Sequence, residues 1–425
     1  MNIYFIVNSS YFEKRKVIAS SSYGAVWYAK DIKFKTKLAM KQISKVKLIQ
    51  SSAYDEILHE QELSSKLNHP FLVKMNFSFQ DGDYLYLIND LMTGGDLRYW
   101  YMQRKKFSEK ECKFIVACII LGLEYLHSNK IIHRDLKPEN ILFDKNGYAH
   151  IADFGITKEL KDEPEEKIID TNGTPMYMSP EALFGEKHGY SSDYFSLGTI
   201  CYEMMMRKRP YNGKNRQEVK EKMANEFVQI KNEEIPKGWS PESADFINKL
   251  LKKNESERLG HNGIEELKVH PWLKYYNWKD LYLMKEKPPF IPPKKVICSE
   301  ENSSSNSGNK KNEAIKKSEL YKKAFINFAY FNRYSIKSRN YLTIFSNPHE
   351  IYEEIDKKEQ EFKNIVHQMD KEFKKEKELI KKRGASLHFS NKNKKKILNA
   401  DKCIVKPRKN TFQIDDVELP GPRIE

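Results

Sequence analysis

Residues 133–140, His133-Arg134-Asp135-Leu136-Lys137-Pro138-Glu139-Asn140, set a carboxylate, an ammonium and an amide within six positions of one another, and Ala152-Asp153-Phe154-Gly155 adds a second carboxylate thirteen residues beyond Asn140. Asp135 is a base able to accept the proton of an attacking hydroxyl. Lys137, two residues on, can neutralise charge that develops on a transferring anionic group. Asn140 and Asp153 supply the hard oxygen donors that Mg2+ prefers, with phosphate and water completing its shell. A base, a cation and two metal donors are the parts of a phosphoryl transfer from a nucleotide to a hydroxyl. Taken singly, an Asp or Asn in a polar loop is usually a turn former or a cap. Their joint occurrence at this spacing carries the chemical reading. Leu136 with Ile141-Leu142-Phe143 on one side and Tyr148 to Ile151 on the other are apolar runs of strand length, and they predict short β-segments that hold both carboxylates in register.

These two loops resemble the catalytic and metal-binding loops of eukaryotic protein kinases, and the resemblance runs from about residue 11 to 293. It implies an α+β bilobal fold, a small β-rich N-lobe and a larger α-helical C-lobe with a C-terminal extension, and ATP with Mg2+ in the cleft between the lobes. A lysine at the position of Lys137 is associated in the family with serine or threonine acceptors. Leu38-Ala39-Met40-Lys41 resembles the strand that carries the ATP-contacting lysine. Glu60 is its expected partner; Glu62 competes on the same stretch, but counting back from His69-Pro70-Phe71-Leu72-Val73 selects Glu60. Ile18-Ala19-Ser20-Ser21-Ser22-Tyr23-Gly24-Ala25-Val26 aligns with the glycine-rich phosphate loop yet keeps only its last glycine, with Ala19 and Ser21 in place of the others. Such replacements stiffen a loop or hold its N–H groups away from phosphate. Ile18, Ala19, Ser21, Gly24, Val26, Ala39 and Leu142 are the expected lining of the nucleotide site. The segment from Leu85 to Arg98 resembles the hinge strand, with backbone contacts to adenine from Asp90 and Met92. Asn89 falls at the gatekeeper position, where a buried amide needs partners or costs about 1–3 kcal/mol. Asp96 is a candidate for a ribose hydroxyl or a basic substrate side chain; it equally suits a helix N-cap, which does not exclude those roles.

Thr174, in Gly173-Thr174-Pro175, resembles the threonine that contacts the catalytic Asp and Lys. Glu181 in Ser179-Pro180-Glu181 is expected to pair with Arg258, and Asp193 to brace the catalytic loop. Gly173-Thr174-Pro175, Arg258-Leu259-Gly260 and His270-Pro271-Trp272-Leu273 are similar to the AGC group, within which Gly94-Gly95-Asp96-Leu97-Arg98-Tyr99 and Leu123-Glu124-Tyr125-Leu126 are most similar to a YANK-like branch. In that group a phosphothreonine stands where Asp170 aligns. A built-in acid there could pair with Arg134 without phosphorylation; Thr171 is the alternative phosphosite. Asp96, Glu139 and Glu203 match acids that read arginines in basophilic relatives, so basic substrates are the expectation. A catalytically weak or dead scaffold, caused by the altered glycine loop, is the competing reading.

Length and charge accommodate more than two lobes. The chain has 425 residues and a net charge of +15, which divides into an N-lobe and hinge at 11–92, a C-lobe at 93–275, an AGC-like tail and linker at 276–345, a charged amphipathic helix at 346–383 and a basic tail at 384–425. Pro288-Pro289-Phe290-Ile291-Pro292-Pro293 resembles the start of the AGC tail, a Ser/Asn linker follows at 300–309, and Phe325 and Phe328 fit the spacing of its docking motif, although aromatics three apart are more often one face of a helix. In the helix, Ile355, Phe362 and Met369 recur at heptad spacing while Glu359 and Glu376 interrupt the rows, which favours packing on the kinase or a partner over a dimeric coil. Residues 381–409 hold eleven Lys or Arg against Asp401, a local net of +10. Nucleic acid or anionic lipid contact is conceivable there, but a solvated tail is the commoner meaning of such a run. Tyr4-Phe5-Ile6-Val7 is too short for a signal-peptide core, and Cys112, Cys118, Cys201, Cys298 and Cys403 show no metal or redox spacing. A cytosolic or nuclear monomer acting on protein Ser/Thr side chains is the expectation.

Overall fold

Strands β1 (Phe12–Ser20) and β2 (Gly24–Asp31) form a hairpin, β2 pairs with β3 (Lys37–Ser44), and after two helices β4 (Met75–Gln80) and β5 (Tyr84–Asp90) complete an antiparallel sheet of order β1-β2-β3-β5-β4. The computed structural model describes residues 9–160, 168–293 and 330–331. Tyr330–Phe331 adds a two-residue antiparallel strand to the free edge of β4. Alternation along the strands sorts side chains between two faces. Leu85 and Leu87 join Ile43, Leu48, Ile57 and Met75 under the helices α1 (Lys45–Gln50) and α2 (Tyr54–Lys66). The intervening Tyr86 stacks on Phe79 at 4.7 Å, and Phe79 on Phe12 at 5.7 Å. On α2 the buried residues are Ile57, Glu60 and Leu63, three apart, so a carboxylate sits in the middle of the buried stripe and requires a partner.

The larger lobe is helical. α3 (Leu97–Gln103) leads to α4 (Glu109–Ser128), whose start is fixed by a capping box between Ser108 and Glu111. Short strands β6 (Ile131–Ile132), β7 (Ile141–Phe143), β8 (Ala149–Ile151) and β9 (Lys158–Glu159) carry the loops of interest, with β7 paired to β8 and β6 to β9. There follow α5 (Pro180–Phe184), α6 (Ser191–Met206), α7 (Arg216–Asn225), α8 (Pro241–Leu250), α9 (Glu265–Val269) and α10 (Trp278–Tyr282). α6 is buried along nearly its whole length, as its apolar sequence requires of a helix at the centre of a core. Arg258 and Glu181 form a buried bidentate ion pair at 2.6 and 2.9 Å that ties α5 to the segment after α8.

Beyond α10 the chain turns back over the helical lobe. The Tyr148 hydroxyl donates to the Glu286 carbonyl at 2.6 Å, and the Phe290 ring packs edge-on against Trp100 and Phe143 with centroids at 5.0 and 5.8 Å. Gly147, with φ of +98°, makes room: a Cβ there would lie 2.2 Å from the Phe290 carbonyl oxygen. The linker 300–309, Phe325 and Phe328, the helix over 346–383, the basic tail, Tyr4 to Val7, Cys298 and Cys403 lie outside the described residues. Among the described residues, no helix is long and apolar enough to cross a membrane. The described cysteines Cys112, Cys118 and Cys201 are free and buried.

Candidate active site

Asp193, near the start of α6, organises the catalytic loop. Its Oδ2 accepts from the His133 backbone N–H and its Oδ1 from that of Arg134, each at 2.9 Å, while His127 Nε2 lies 2.8 Å from Oδ2. Burial alone would raise this carboxyl, but His127 and His133 hold it below the usual carboxylate range. Arg134 (φ +68°) and Asp153 (φ +65°) occupy the left-handed region, uncommon for side chains of their kind. Both strained residues stand in loops that carry candidate site residues, where strain of this kind gathers.

Asp135 is held from two sides. Thr174 Oγ1 donates to its Oδ1 at 2.7 Å and the Thr174 N–H at 3.1 Å, while Lys137 Nζ donates to its Oδ2 at 2.6 Å and to Thr174 Oγ1 at 3.0 Å. The Asn140 amide nitrogen donates to the Asp135 carbonyl at 2.8 Å, which commits that end of the amide and leaves its oxygen as the acceptor for a cation. Within the small lobe, Lys41 Nζ on β3 reaches both oxygens of Glu60 on α2, at 2.7 and 2.8 Å. Glu62, the competing candidate, is exposed and pairs with Lys66. Burial opposes the Lys41 ammonium, yet the charges of Glu60 and Asp153 outweigh it and raise its pKa. For Glu60, burial raises the carboxyl against the pull of Lys41. Asp153 ends below the ordinary carboxylate range because Lys41 and His133 overcome its burial. An ionised Asp153 and the Asn140 amide oxygen are a donor set that fits Mg2+, which takes only one or two protein carboxylates and phosphate oxygens for the rest. Among the described residues no group of three His, Cys, Asp or Glu is gathered.

The protein kinase domain family matches residues 12–273. The chain belongs to the protein kinase family. A probable serine/threonine-protein kinase of Dictyostelium discoideum is 35% identical over 291 residues, which cover 68% of this chain and 62% of the relative. A RAC family serine/threonine-protein kinase homolog of the same organism is 34% identical over 281 residues, 66% of this chain and 62% of the relative. Ribosomal protein S6 kinase 2 alpha of Gallus gallus is 37% identical over 294 residues, 67% of this chain and 37% of the relative. The chain thus spans under two thirds of the length of each. The RAC and S6 relatives belong to the AGC group; the YANK-like branch rests on sequence motifs alone.

In this kinase domain the altered glycine loop is a tight hairpin. The Ser21 N–H donates to the Gly24 carbonyl at 2.8 Å, and Ala19 lies opposite Val26 in the ladder, with Ile18 just before it in β1. Gly24 is irreplaceable for a local reason: a Cβ there would lie 1.9 Å from the Gln42 carbonyl oxygen of β3. Ala39 and Leu142 are half-buried, each beside fully buried neighbours on its strand, so they stand on the less covered strand faces. At the hinge the Asp90 N–H donates to the Lys74 carbonyl, Asn89 is half-buried on β5, and Met92 begins the link to α3. Asp96 caps α3, its Oδ1 accepting from the Tyr99 N–H at 2.7 Å.

Two residues to which the sequence alone assigned no role belong to this kinase site. His127, at the end of α4, supports Asp193, and Arg98 joins Glu139 to Glu203. Their partners lie 66, 41 and 105 positions away. No local spacing marks either one. Arg134 donates to Asp170 through Nη1 and to the Ile156 carbonyl through Nε at 2.6 Å, so the acid aligned with the AGC phosphothreonine is ion-paired to the catalytic loop.

Proposed function

We propose that this chain transfers the γ-phosphoryl group of ATP, with Mg2+, to serine or threonine hydroxyls of protein substrates. The observation that carries the proposal is the constellation of Asp135, Lys137 and Thr174 within direct hydrogen-bond reach, facing an intact Lys41–Glu60 pair. Asp135 orients the acceptor hydroxyl and takes its proton; Lys137 neutralises charge beside it. Lys41, positioned by Glu60, binds nucleotide phosphate, while Asn140 and Asp153 hold Mg2+. Mg-ATP supplies the phosphoryl group and neutralises its charge when bound. Thr174 keeps Asp135 in place from the activation segment. The Asp90 carbonyl and the Met92 N–H meet adenine, and Ile18, Val26, Ala39 and Leu142 line its pocket. The Arg134–Asp170 contact supports a segment that orders itself without phosphorylation.

Ala19 and Ser21 are the observation behind the second reading, a kinase fold used as a scaffold. The two are separated by Mg-ATP-dependent phosphorylation of Ser/Thr peptides by the full chain, by Asp135→Asn and by Ala19→Gly/Ser21→Gly. The enzyme reading expects turnover in the first and a loss of at least about a hundredfold in the second. Turnover only after the glycines are restored identifies the loop as the defect, and an inert glycine-restored protein supports the scaffold.

A further inference from the structure

Glu139 lies in the turn immediately before Asn140, whose amide holds Asp135, and Glu203 reaches the same place from α6. Between them stands Arg98 of α3. Its Nε donates to Glu139 Oε1 at 2.9 Å, its Nη1 to Glu203 Oε1 at 2.7 Å, and its Nη2 to Glu203 Oε2 at 3.1 Å and to the Tyr177 hydroxyl. Tyr177, three residues beyond Thr174, donates in turn to Glu203 Oε2 at 2.6 Å. A second guanidinium closes the group: Arg209 Nε donates to the Tyr177 hydroxyl at 3.1 Å and lies 3.5 Å from Glu203. The Tyr101 ring lies 5.2 Å from the Arg98 guanidinium. The Arg98 side chain is 17% exposed and that of Glu203 4%, so these bonds are shielded from water; Glu139 at 43% forms the outer rim. Two carboxylates meet two guanidiniums, and the cluster is neutral.

We infer that Arg98 occupies, within the chain itself, the acidic subsite that a substrate arginine would otherwise take, and so acts as a specificity-determining residue that makes the kinase indifferent to basic side chains there. The inference rests on the kinase reading above. Two open carboxylates beside Asp135 would attract an incoming guanidinium through charge-assisted, bidentate hydrogen bonds. Here both Glu203 oxygens and one oxygen of Glu139 are filled, and an incoming arginine that seeks Glu203 must expel Arg98 and then face it and Arg209 as like charges. What it gains from Glu203 it takes from Arg98. The expectation of basic substrates drawn from Glu203 requires it to be open; Asp96, the third acid, caps α3 through one oxygen, Oδ1, and is not part of the Arg98 cluster.

The test uses the full chain and Arg98→Leu, with paired peptides that carry arginine or alanine at each position upstream of the acceptor. Binding is read by fluorescence anisotropy on peptides whose acceptor is alanine, and turnover on their serine forms. The wild type is expected to bind arginine and alanine peptides within about twofold of each other, whereas Arg98→Leu gains roughly tenfold for arginine at one upstream position, the scale of one buried charge-assisted hydrogen bond. Adding Glu203→Gln should abolish that gain. Arg98→Gln, which keeps a donor for Glu203 without the charge, is the second variant should the leucine variant unfold. A wild type that already favours arginine about tenfold, or folded variants that acquire no preference, overturn the inference. Binding needs no phosphoryl transfer, so failed turnover of every serine peptide counts against the kinase reading while the anisotropy comparison still decides the fate of the subsite.

Discussion

Replacing Asp170 by alanine isolates what a built-in acid does for the activation segment. The Arg134 side chain is 7% exposed and that of Asp170 30%. Breaking a fully buried pair costs about 3–5 kcal/mol and an exposed one well under 1. With one partner covered and the other partly open, about 1.5–3 kcal/mol is expected. The loss is local, because the Arg134 backbone stays anchored on Asp193 and its Nε on the Ile156 carbonyl. It falls on the stretch from Asp170 to Thr174, since Asp170 Oδ1 also accepts from the Asn172 N–H at 3.1 Å. Thr174 is what holds Asp135, so the penalty should appear in the chemical step: kcat/KM lower by roughly ten- to a hundredfold, with an almost unchanged melting temperature. The assay is peptide phosphorylation by bacterially produced protein, shown by mass spectrometry to carry no phosphate, beside Asp170→Thr. The threonine variant should be as slow as the alanine variant until phosphorylated. Full activity of Asp170→Ala, or a wild type that is inert until Thr171 is modified, would refute the reasoning.

Arg258→Ala should act on stability instead. It leaves the Glu181 carboxylate buried against an absent partner whose side chain was fully covered, and a loss of about 3–5 kcal/mol should register in denaturant unfolding; a melt matching wild type counts against a structural role. Gly24→Ala should lower both the melting temperature and nucleotide affinity by calorimetry, since its Cβ would press β2 off β3, whereas Ala19→Gly/Ser21→Gly should leave the melt unchanged. Stability should also fall in acid. Burial, with the charge of His150 adding to it, lowers the His69 pKa to about 4. An unfolded histidine binds its proton near 6.5, so on the way down from that pH toward 4 the unfolded state takes up a proton that the folded state does not, and stability is lost. After discounting for partial exposure this contribution is about 1–2 kcal/mol, and His69→Asn should flatten the melting profile across that window.

Contacts within one loop were legible because the motif that resembles the kinase catalytic loop keeps Asp135, Lys137 and Asn140 within six positions of one another. Lys41 and Glu60 were legible by resemblance, through counting back from His69-Pro70-Phe71-Leu72-Val73, and the structure puts Glu60 on the buried stripe with Ile57 and Leu63 whereas Glu62 faces water. The strand lengths at β7 and β8 followed from short apolar runs between turn formers. Arg98 was not legible, because a side chain that joins two elements far apart in the chain leaves no periodic trace. Nor was the two-residue strand at Tyr330–Phe331, whose pairing with β4 is set by an available edge and not by a pattern of its own.

Phe290 bears on where this kinase can be cut. The protein kinase domain match ends at residue 273 and the sequence pattern put the end of the helical lobe at 275, yet Phe290 covers Trp100 and Phe143, and the Arg104 guanidinium lies over its ring at 4.7 Å. A chain stopped at 275 would present an oily, cation-flanked scar beside the hinge, the kind of surface that draws chains together in solution. The smallest piece that keeps its own skin runs through Phe290.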